Sequence, residues 1–316
     1  MKPSFALLVP TFNGGPLLEE TLRSCLAAPL DPSKTRVLVC DNGSTDGSYE
    51  AAYRFAEESH GLIQVLRNPE NLGRIGNWNR CLEVAEAMGA RFATFLMVGD
   101  KWLPGADPLA IIAEMERSGA RMALAPYHIV DASGRFLRLA RNFIRGSRRA
   151  IQAQPFIDHA LQEGALCFGP LQANIYRLEV PSPLRFDPAD PTHTDQRATI
   201  LYLGRDTQTL QLWDQAIFAW KAHAGRFHMG MDVSQRASDD SEMIRNLAEL
   251  RGLRVDFQRI YANLFLLAAR EWAMKPGGMR KIWEVARYFR GCPEGLSVAM
   301  VMRQAFRRVF LRRFLT

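Results

Sequence analysis

Three times in its first hundred residues the chain runs an apolar segment into a short polar loop and then into a segment whose apolar residues fall three and four apart. FALLVP (5–10) leads through TFNGG to LLEETLRSCLAA; RVLVC (36–40) leads through DNGSTDG (41–47) to SYEAAYRFAEES; IQVLRN (63–68) leads to NWNRCLEVAEAMG. A fourth apolar run, RFATFLMVGD, ends at Asp100. Apolar runs of this length bounded by turn residues read as strands, and the three-four spacing reads as helices. Their strict alternation predicts a Rossmann-like α/β fold, a mostly parallel sheet flanked by helices. Ligands in such sheets bind beyond the carboxyl ends of the strands, where TFNGG, DNGSTDG and GDKWLP would all emerge. Asp41 and Asp100 are therefore expected at one mouth.

The second half is less regular. RMALAPYHIVD (121–131) and GRFLRLA read as a hairpin or two short strands, and residues 135–149 hold six arginines. Arg138, Arg141, Arg145 and Arg148 could share one helix face, either simply solvated or receiving a phosphorylated or lipid-linked acceptor. A Pro-rich linker (180–195) precedes the helix-like QRATILYLG, and from about residue 240 the pattern is helical. The expected organisation is one half over 1–110, a second over 111–240, and a helical C-terminal extension over 241–316.

Composition narrows the class. With 316 residues and 47% hydrophobic content, the chain can bury a sizeable core. No run of about 18 apolar residues occurs and MKPSFALLVP lacks the features of a signal peptide, so cytoplasmic residence is expected. The five cysteines are scattered singly, which suggests neither a zinc site nor a disulfide framework. The net charge of +7 comes largely from LSVAMVMRQAFRRVFLRRFLT (296–316), which holds five arginines and no acid. Its apolar residues recur at helical spacing, the pattern either of a helix on an anionic membrane surface or of a terminal helix docked on the core. Nucleic acid is not expected, because the arginines are not interleaved with base-reading motifs.

By itself DNGSTDG reads as a strand-to-helix connection with Ser44 or Asp46 as cap. An acid at a strand end can also accept hydrogen bonds from the N–H groups of a nucleobase or the hydroxyls of a ribose. Four stretches in register, VPTFNGG, VCDNGSTDGS, ENLGRIGNWNRCLEVA and FLMVGDKWLPGA, resemble glycosyltransferase family 2, whose members have the GT-A fold. The resemblance is strong over roughly residues 4–110 and weak to about 230. It implies that Pro10, Thr11, Asn13 and Asp41 hold the base and ribose of a nucleotide-sugar donor, with Arg74 and Asn77 over the same pocket. A guanidinium suits a diphosphate, although Arg74 would equally suit an exposed turn.

The same resemblance assigns Asp100. Family members usually carry Asp-x-Asp or paired Asp here, the last acid binding a divalent ion that bridges the donor diphosphate. This chain reads Met97, Val98, Gly99, Asp100, so only the final acid remains. Mn²⁺ or Mg²⁺ is the implied cofactor, since a hard cation neutralises a departing diphosphate and magnesium keeps several waters. WKAHAG (220–225) resembles the family segment that brings a histidine to the metal or diphosphate, here His223; His228 and Asp232 are weaker candidates. RFDPADPTHTDQRATILYLG resembles the segment in which an acid opens a helix after a Pro-rich loop. Asp195 falls there as the catalytic base, with Thr194 where Glu is frequent; a helix cap is the plainer reading. Asp187, Asp190 and Asp239–Asp240 are reserves, and GPLQANIYR (169–177) resembles the segment leading toward the acceptor cleft.

Together these imply an inverting glycosyltransferase that moves a sugar from a UDP- or dTDP-sugar to a glycan or lipid-linked glycan, in bacterial surface polysaccharide assembly. The basic tail would keep it at the cytoplasmic face of the inner membrane. A catalytically inactive nucleotide-sugar-binding protein is one alternative. A dinucleotide-dependent oxidoreductase is another, though no GxGxxG follows the first strand.

Overall fold

The structure, a computed structural model, describes residues 3–140, 148–163, 168–179, 182–190, 193–204, 208–221, 233–272 and 277–305. The predicted alternation opens it: β1 (Phe5–Thr11), α1 (Gly15–Ala27), β2 (Thr35–Asp41), α2 (Ser48–Glu58), β3 (Ile63–Arg67), α3 (Gly73–Ala87) and β4 (Phe92–Phe95). Then come β5 (Lys101–Trp102), α4 (Pro108–Ser118), β6 (Met122–Leu124), β7 (Tyr127–Val130), β8 (Phe136–Ala140), β9 (Arg149–Gln152) and α5 (Ala153–Gln162). A 3₁₀ turn (Leu171–Ala173) runs into β10 (Asn174–Arg177), followed by α6 (Thr194–Leu203), β11 (Thr209–Leu212), β12 (Phe218–Lys221), α7 (Val233–Leu250), α8 (Phe257–Trp272) and α9 (Gly278–Gly291).

The main sheet has the order β3-β2-β1-β4-β10-β6-β11-β9. Its first four strands are all parallel, and β10 enters antiparallel between β4 and β6. Both faces of these strands are covered, which is why β1 and β2 are apolar almost without interruption. Phe5, Leu7 and Val9 share a core with Leu18, Leu22 and Cys25 of α1 and Phe55 of α2. On the opposite face Phe95 packs with Trp78 of α3 and with Phe186, ring centroids 6.2 and 5.7 Å apart. Each such fully buried large side chain contributes about 1.5–3 kcal/mol.

A second sheet has the order β5-β12-β7-β8. Three local expectations change here. RFATFLMVGD does not extend as a strand to Asp100: pairing stops at Phe95, and Met97–Asp100 forms a turn closed by the Asp100 N–H on Met97 O at 2.9 Å, with Gly99 at φ 91°. A left-handed glycine breaks the ladder and sends the chain into the second sheet. Arg138 lies in strand β8, so a shared helix face with Arg148 does not form; Arg141 and Arg145 lie outside the described residues. The 121–131 segment is divided, β6 pairing in the main sheet and β7 forming the hairpin with β8.

The chain forms two compact units, residues 1–154 with 168–223, and residues 155–167 with 224–316. In the second unit α5 is held by ion pairs, Asp158 to Arg251 at 2.7 Å and Glu163 to Arg259. No helix among the described residues is long and apolar enough to cross a membrane.

Candidate active site

Register places the first group of residues. Thr11 pairs with Asp41 across β1 and β2, and Asp41 pairs with Arg67 across β2 and β3, so all three stand at the carboxyl edge of the parallel strands. Loop 11–15 is then laced to loop 41–48. Asn13, held at φ 49°, donates its N–H to Ser44 Oγ and accepts the Thr45 N–H on Oδ1, both at 2.9 Å. The left-handed conformation that these contacts require suits asparagine. Gly14 and Gly15 donate to Ser48 Oγ at 2.9 and 3.0 Å. A Cβ on Gly14 would meet Thr11 Oγ1 at 2.8 Å and Val98 at 3.2 Å, so this loop abuts the turn leading to Asp100.

Asp41 is fully buried. Its Oδ2 accepts the Ser44 N–H at 3.1 Å and lies 3.6 Å from Arg67 Nε. Its Oδ1 has no protein partner, and neither has the buried Thr11 Oγ1. A buried acceptor without a donor costs about 1–3 kcal/mol, so these two oxygens, together at the strand edge, could take donors from a ligand. Arg67 is itself fixed by Ser44 O at 3.0 Å and by the Tyr49 ring at 4.9 Å.

Asn77 is placed differently from its expected role over a pocket. Its Nδ2 donates to Cys40 O at 3.0 Å and Thr11 O at 3.5 Å, and its Oδ1 accepts from Asn68 Nδ2 at 2.9 Å. Asn68 also donates to Asn42 Oδ1 at 3.0 Å. This buried amide cluster clamps the ends of β1, β2 and β3 beneath the loops.

Asp100 is also fully buried. Its Oδ2 accepts from Gln172 Nε2 at 2.5 Å and its Oδ1 from the Lys221 N–H at 2.9 Å. Thr21 of α1 completes the frame, donating to Asp100 O at 2.9 Å and accepting the Gly99 N–H at 3.0 Å. Beside it Glu20 pairs with Lys221 Nζ at 2.8 Å and Lys101 Nζ at 3.4 Å, contacts that hold its carboxyl below the usual range. Among the described residues no group of three or more His, Cys, Asp or Glu could hold a metal. His223, His228 and Asp232 lie outside the described residues.

Asp195 sits in the first turn of α6, half-buried. Burial pushes its carboxyl above the ordinary range, against the Gln196 N–H and the neighbouring His193, which favour the charged form. Arg74, in the first turn of α3 and 4.8 Å over the Trp78 ring, has its pKa lowered by burial and raised by the charge of Asp195. The charge of Asp195 therefore acts on Arg74. Two hydrogen-bond routes hold α6 in place. Asp187 N–H donates to Thr194 Oγ1 at 2.7 Å, and the adjoining Phe186 exchanges two hydrogen bonds with Asn79 of α3. Gln196 bonds Phe168 N–H and Gly169 O, three residues before the Gln172 that binds Asp100. One short segment thus ties Asp195's helix to Asp100.

Of the reserves, Asp187 accepts from Ala189 N–H and Asp190 from His193 N–H, as loop braces. Asp239 accepts from Gln235 on α7, in the second unit. Pro10 is half-buried near the end of β1. Sequence reasoning did not assign Arg67, Asn68, Gln172 or Lys221. The signals were present in IQVLRN, GPLQANIYR and WKAHAG, but which glutamine or backbone N–H reaches a carboxylate is a matter of tertiary contact.

The sequence over residues 6–173 matches the family described as Glycosyl transferase family 2. A curated relative, the uncharacterized protein MT1568 of Mycobacterium tuberculosis (strain CDC 1551 / Oshkosh), is 30% identical over 128 residues, which make up 40% of this chain and 37% of that protein. The chain therefore spans little more than a third of that relative's length. Among solved structures, residues 1–349 of S. aureus TarS in complex with UDP-GlcNAc superpose with a TM-score of 0.59 at 16% identity, covering 92% of this chain and 82% of that one. The mannosyltransferase PcManGT from Pyrobaculum calidifontis, in complex with GDP-Man and Mn²⁺, superposes with a TM-score of 0.54 at 16% identity, covering 98% and 81%. At such identities the likeness is one of fold, the GT-A architecture.

Proposed function

Because the chain belongs to glycosyltransferase family 2, we propose that it transfers a sugar from a nucleotide diphosphate donor, with inversion, to a hydroxyl of a glycan or lipid-linked glycan. The observation that carries this reading is the charge interaction between Asp195 and Arg74: burial raises the carboxyl of the one, and the other is a cation suited to a diphosphate. Asp41 Oδ1 would accept an N–H of the base, which uracil or thymine N3–H supplies, and a UDP- or dTDP-sugar is the proposed donor. Pro10, Thr11 and Asn13 would shape the ribose side, and Asn77 would act by fixing the strand ends rather than by touching the donor.

In the reaction the acceptor oxygen attacks the anomeric carbon opposite the leaving diphosphate; the new C–O bond forms as the bond to phosphate breaks, and Asp195 takes the hydroxyl proton. A positioned base of this kind contributes about 10²–10⁴ in rate. Arg74 offsets charge on the departing diphosphate. Asp100 is the described carboxylate that a divalent ion could use, with His223 as a further ligand. A hard cation that keeps its own waters and takes diphosphate oxygens needs few protein ligands, so Mn²⁺ or Mg²⁺ remains the proposed cofactor, supplying charge neutralisation. Each Asp100 oxygen already accepts a hydrogen bond, from Gln172 and from the Lys221 N–H, so a cation there would share the carboxylate with both. That same double engagement favours, as a second reading, a protein that binds the donor without turning it over.

The remaining parts of the reading are bacterial surface polysaccharide assembly and residence at the cytoplasmic face of the inner membrane through residues 296–316. Their support is the acid-free arginine content of that segment. Titration calorimetry with UDP, dTDP and their sugars, paired with an assay of nucleoside diphosphate release, tests the proposal. Binding with release supports transfer; binding without release from any donor or acceptor supports the second reading; absence of binding removes both.

A further inference from the structure

Helix α9 is built with two unlike faces. Gly278, Ile282, Val285 and Phe289 are buried at three-four spacing, Phe289 stacking on Tyr261 of α8 with centroids 4.8 Å apart. The exposed positions are Met279, Arg280, Trp283, Arg287 and Arg290. Met279 is 64% and Trp283 63% exposed, one turn apart, and the Arg290 guanidinium lies 5.9 Å from the Trp283 ring. The acid of this helix, Glu284, is half-buried and accepts from Arg280 Nε at 3.1 Å. The next helical stretch of the same unit, from residue 298, repeats the composition: Val298 is 64% and Met302 66% exposed, with Arg303 exposed beside them.

We infer that this face of α9 docks on an anionic bilayer, with Trp283 and Met279 entering the headgroup layer and Arg280, Arg287 and Arg290 pairing with lipid phosphates. Tryptophan ringed by arginine is the composition that favours the membrane–water boundary, where the indole body is apolar and its rim is wet. Charge decides against the other occupants. In a symmetric dimer the same patch meets itself, which would set Arg287 and Arg290 against their own copies with no exposed acid on the face to answer them. Pairing these arginines with the phosphates of a nucleic acid would leave Met279 in water, whereas a bilayer takes up both Met279 and Trp283. No donor residue takes part, so this docking neither requires nor supports the transfer chemistry.

The experiment is sedimentation of the full chain with vesicles of phosphatidylcholine alone and of phosphatidylcholine mixed with phosphatidylglycerol. Binding is expected only with the anionic lipid. Since each arginine near such a surface is worth about a fivefold change in partitioning, Arg287→Gln with Arg290→Gln should lower the partition coefficient roughly twenty-fivefold. Met279→Ser with Trp283→Ser should weaken it as well, with the melting temperature unchanged. A parallel variant, Arg307→Gln with Arg308→Gln, Arg312→Gln and Arg313→Gln, separates the tail's contribution. Three results overturn the proposal: no binding to anionic vesicles, α9 variants that bind like the wild type while the tail variant does not, or a dimer in solution that Trp283→Ser dissolves without any vesicle binding.

Discussion

Gln172 donates its side-chain amide to Asp100 at 2.5 Å, joining the segment before β10 to the end of the turn that follows β4. Both side chains are buried, so the bond has no solvent competitor. Gln172→Leu should remove that donor from the buried Asp100 Oδ2 and cost about 1–3 kcal/mol. Urea unfolding measures the loss. An unchanged midpoint and slope would show that Asp100 rests on other contacts.

Metal dependence follows from the same pair. If a divalent ion meets the diphosphate at Asp100, Mn²⁺ should tighten UDP-sugar binding by about tenfold or more over chelator-treated protein, and Asp100→Asn should remove that gain. Equal affinities with and without Mn²⁺ would leave Asp100 as a brace between the two sheets.

Asp41→Asn tests donor recognition. The charged acceptor Oδ1 is replaced by a neutral amide, and a charge-assisted bond worth about 1.5–3 kcal/mol is weakened. UDP affinity should fall roughly tenfold to a hundredfold, and any accompanying loss of stability reads the weakened ion pair to Arg67 at 3.6 Å. Calorimetric binding isotherms and thermal melts on one preparation separate the two effects.

Asp195→Asn should reduce turnover by about 10²–10⁴ with donor affinity nearly unchanged. The folded-state pKa of this acid is raised above its ordinary 3.8 by burial, so the folded protein holds the proton more tightly than the unfolded chain. Stability is then lost as pH rises from the ordinary value through the folded one, and the charge-free Asn variant escapes the loss. Melting temperatures of variant and wild type should agree in acid and diverge toward neutrality, the variant being higher. Wild-type activity should rise across the window in which Asp195 loses its proton.

Gly14→Ala tests the meeting of the first loop with the Asp100 turn. The backbone there has φ −80°, so no conformational strain arises and the effect is purely steric. With Thr11 Oγ1 2.8 Å and Leu18 Cβ 3.0 Å from the new carbon, a cost of about 1–3 kcal/mol is expected. Weakened UDP binding should accompany it, because Thr11 is displaced.

The first four parallel strands, their helices and the arrival of Thr11, Asn13 and Asp41 at one edge were legible in the chain. Period and turn chemistry are local properties, and parallel pairing of adjacent units follows from them. For the same reason the loops TFNGG and DNGSTDG announced themselves: only certain residues adopt those backbone conformations. What tertiary structure alone decided was contact between distant segments. β10 entering antiparallel beside β4, Gln172 and the Lys221 N–H closing on Asp100, and α5 packing against α7 and α8 by ion pairs all join residues tens to more than a hundred positions apart. So does the burial that raises the Asp195 carboxyl, whose charge acts on Arg74. A carboxylate's neighbours, and hence whether it is a brace, a ligand or a base, depend on desolvation and on donors brought by the fold, and no local pattern of residues encodes either.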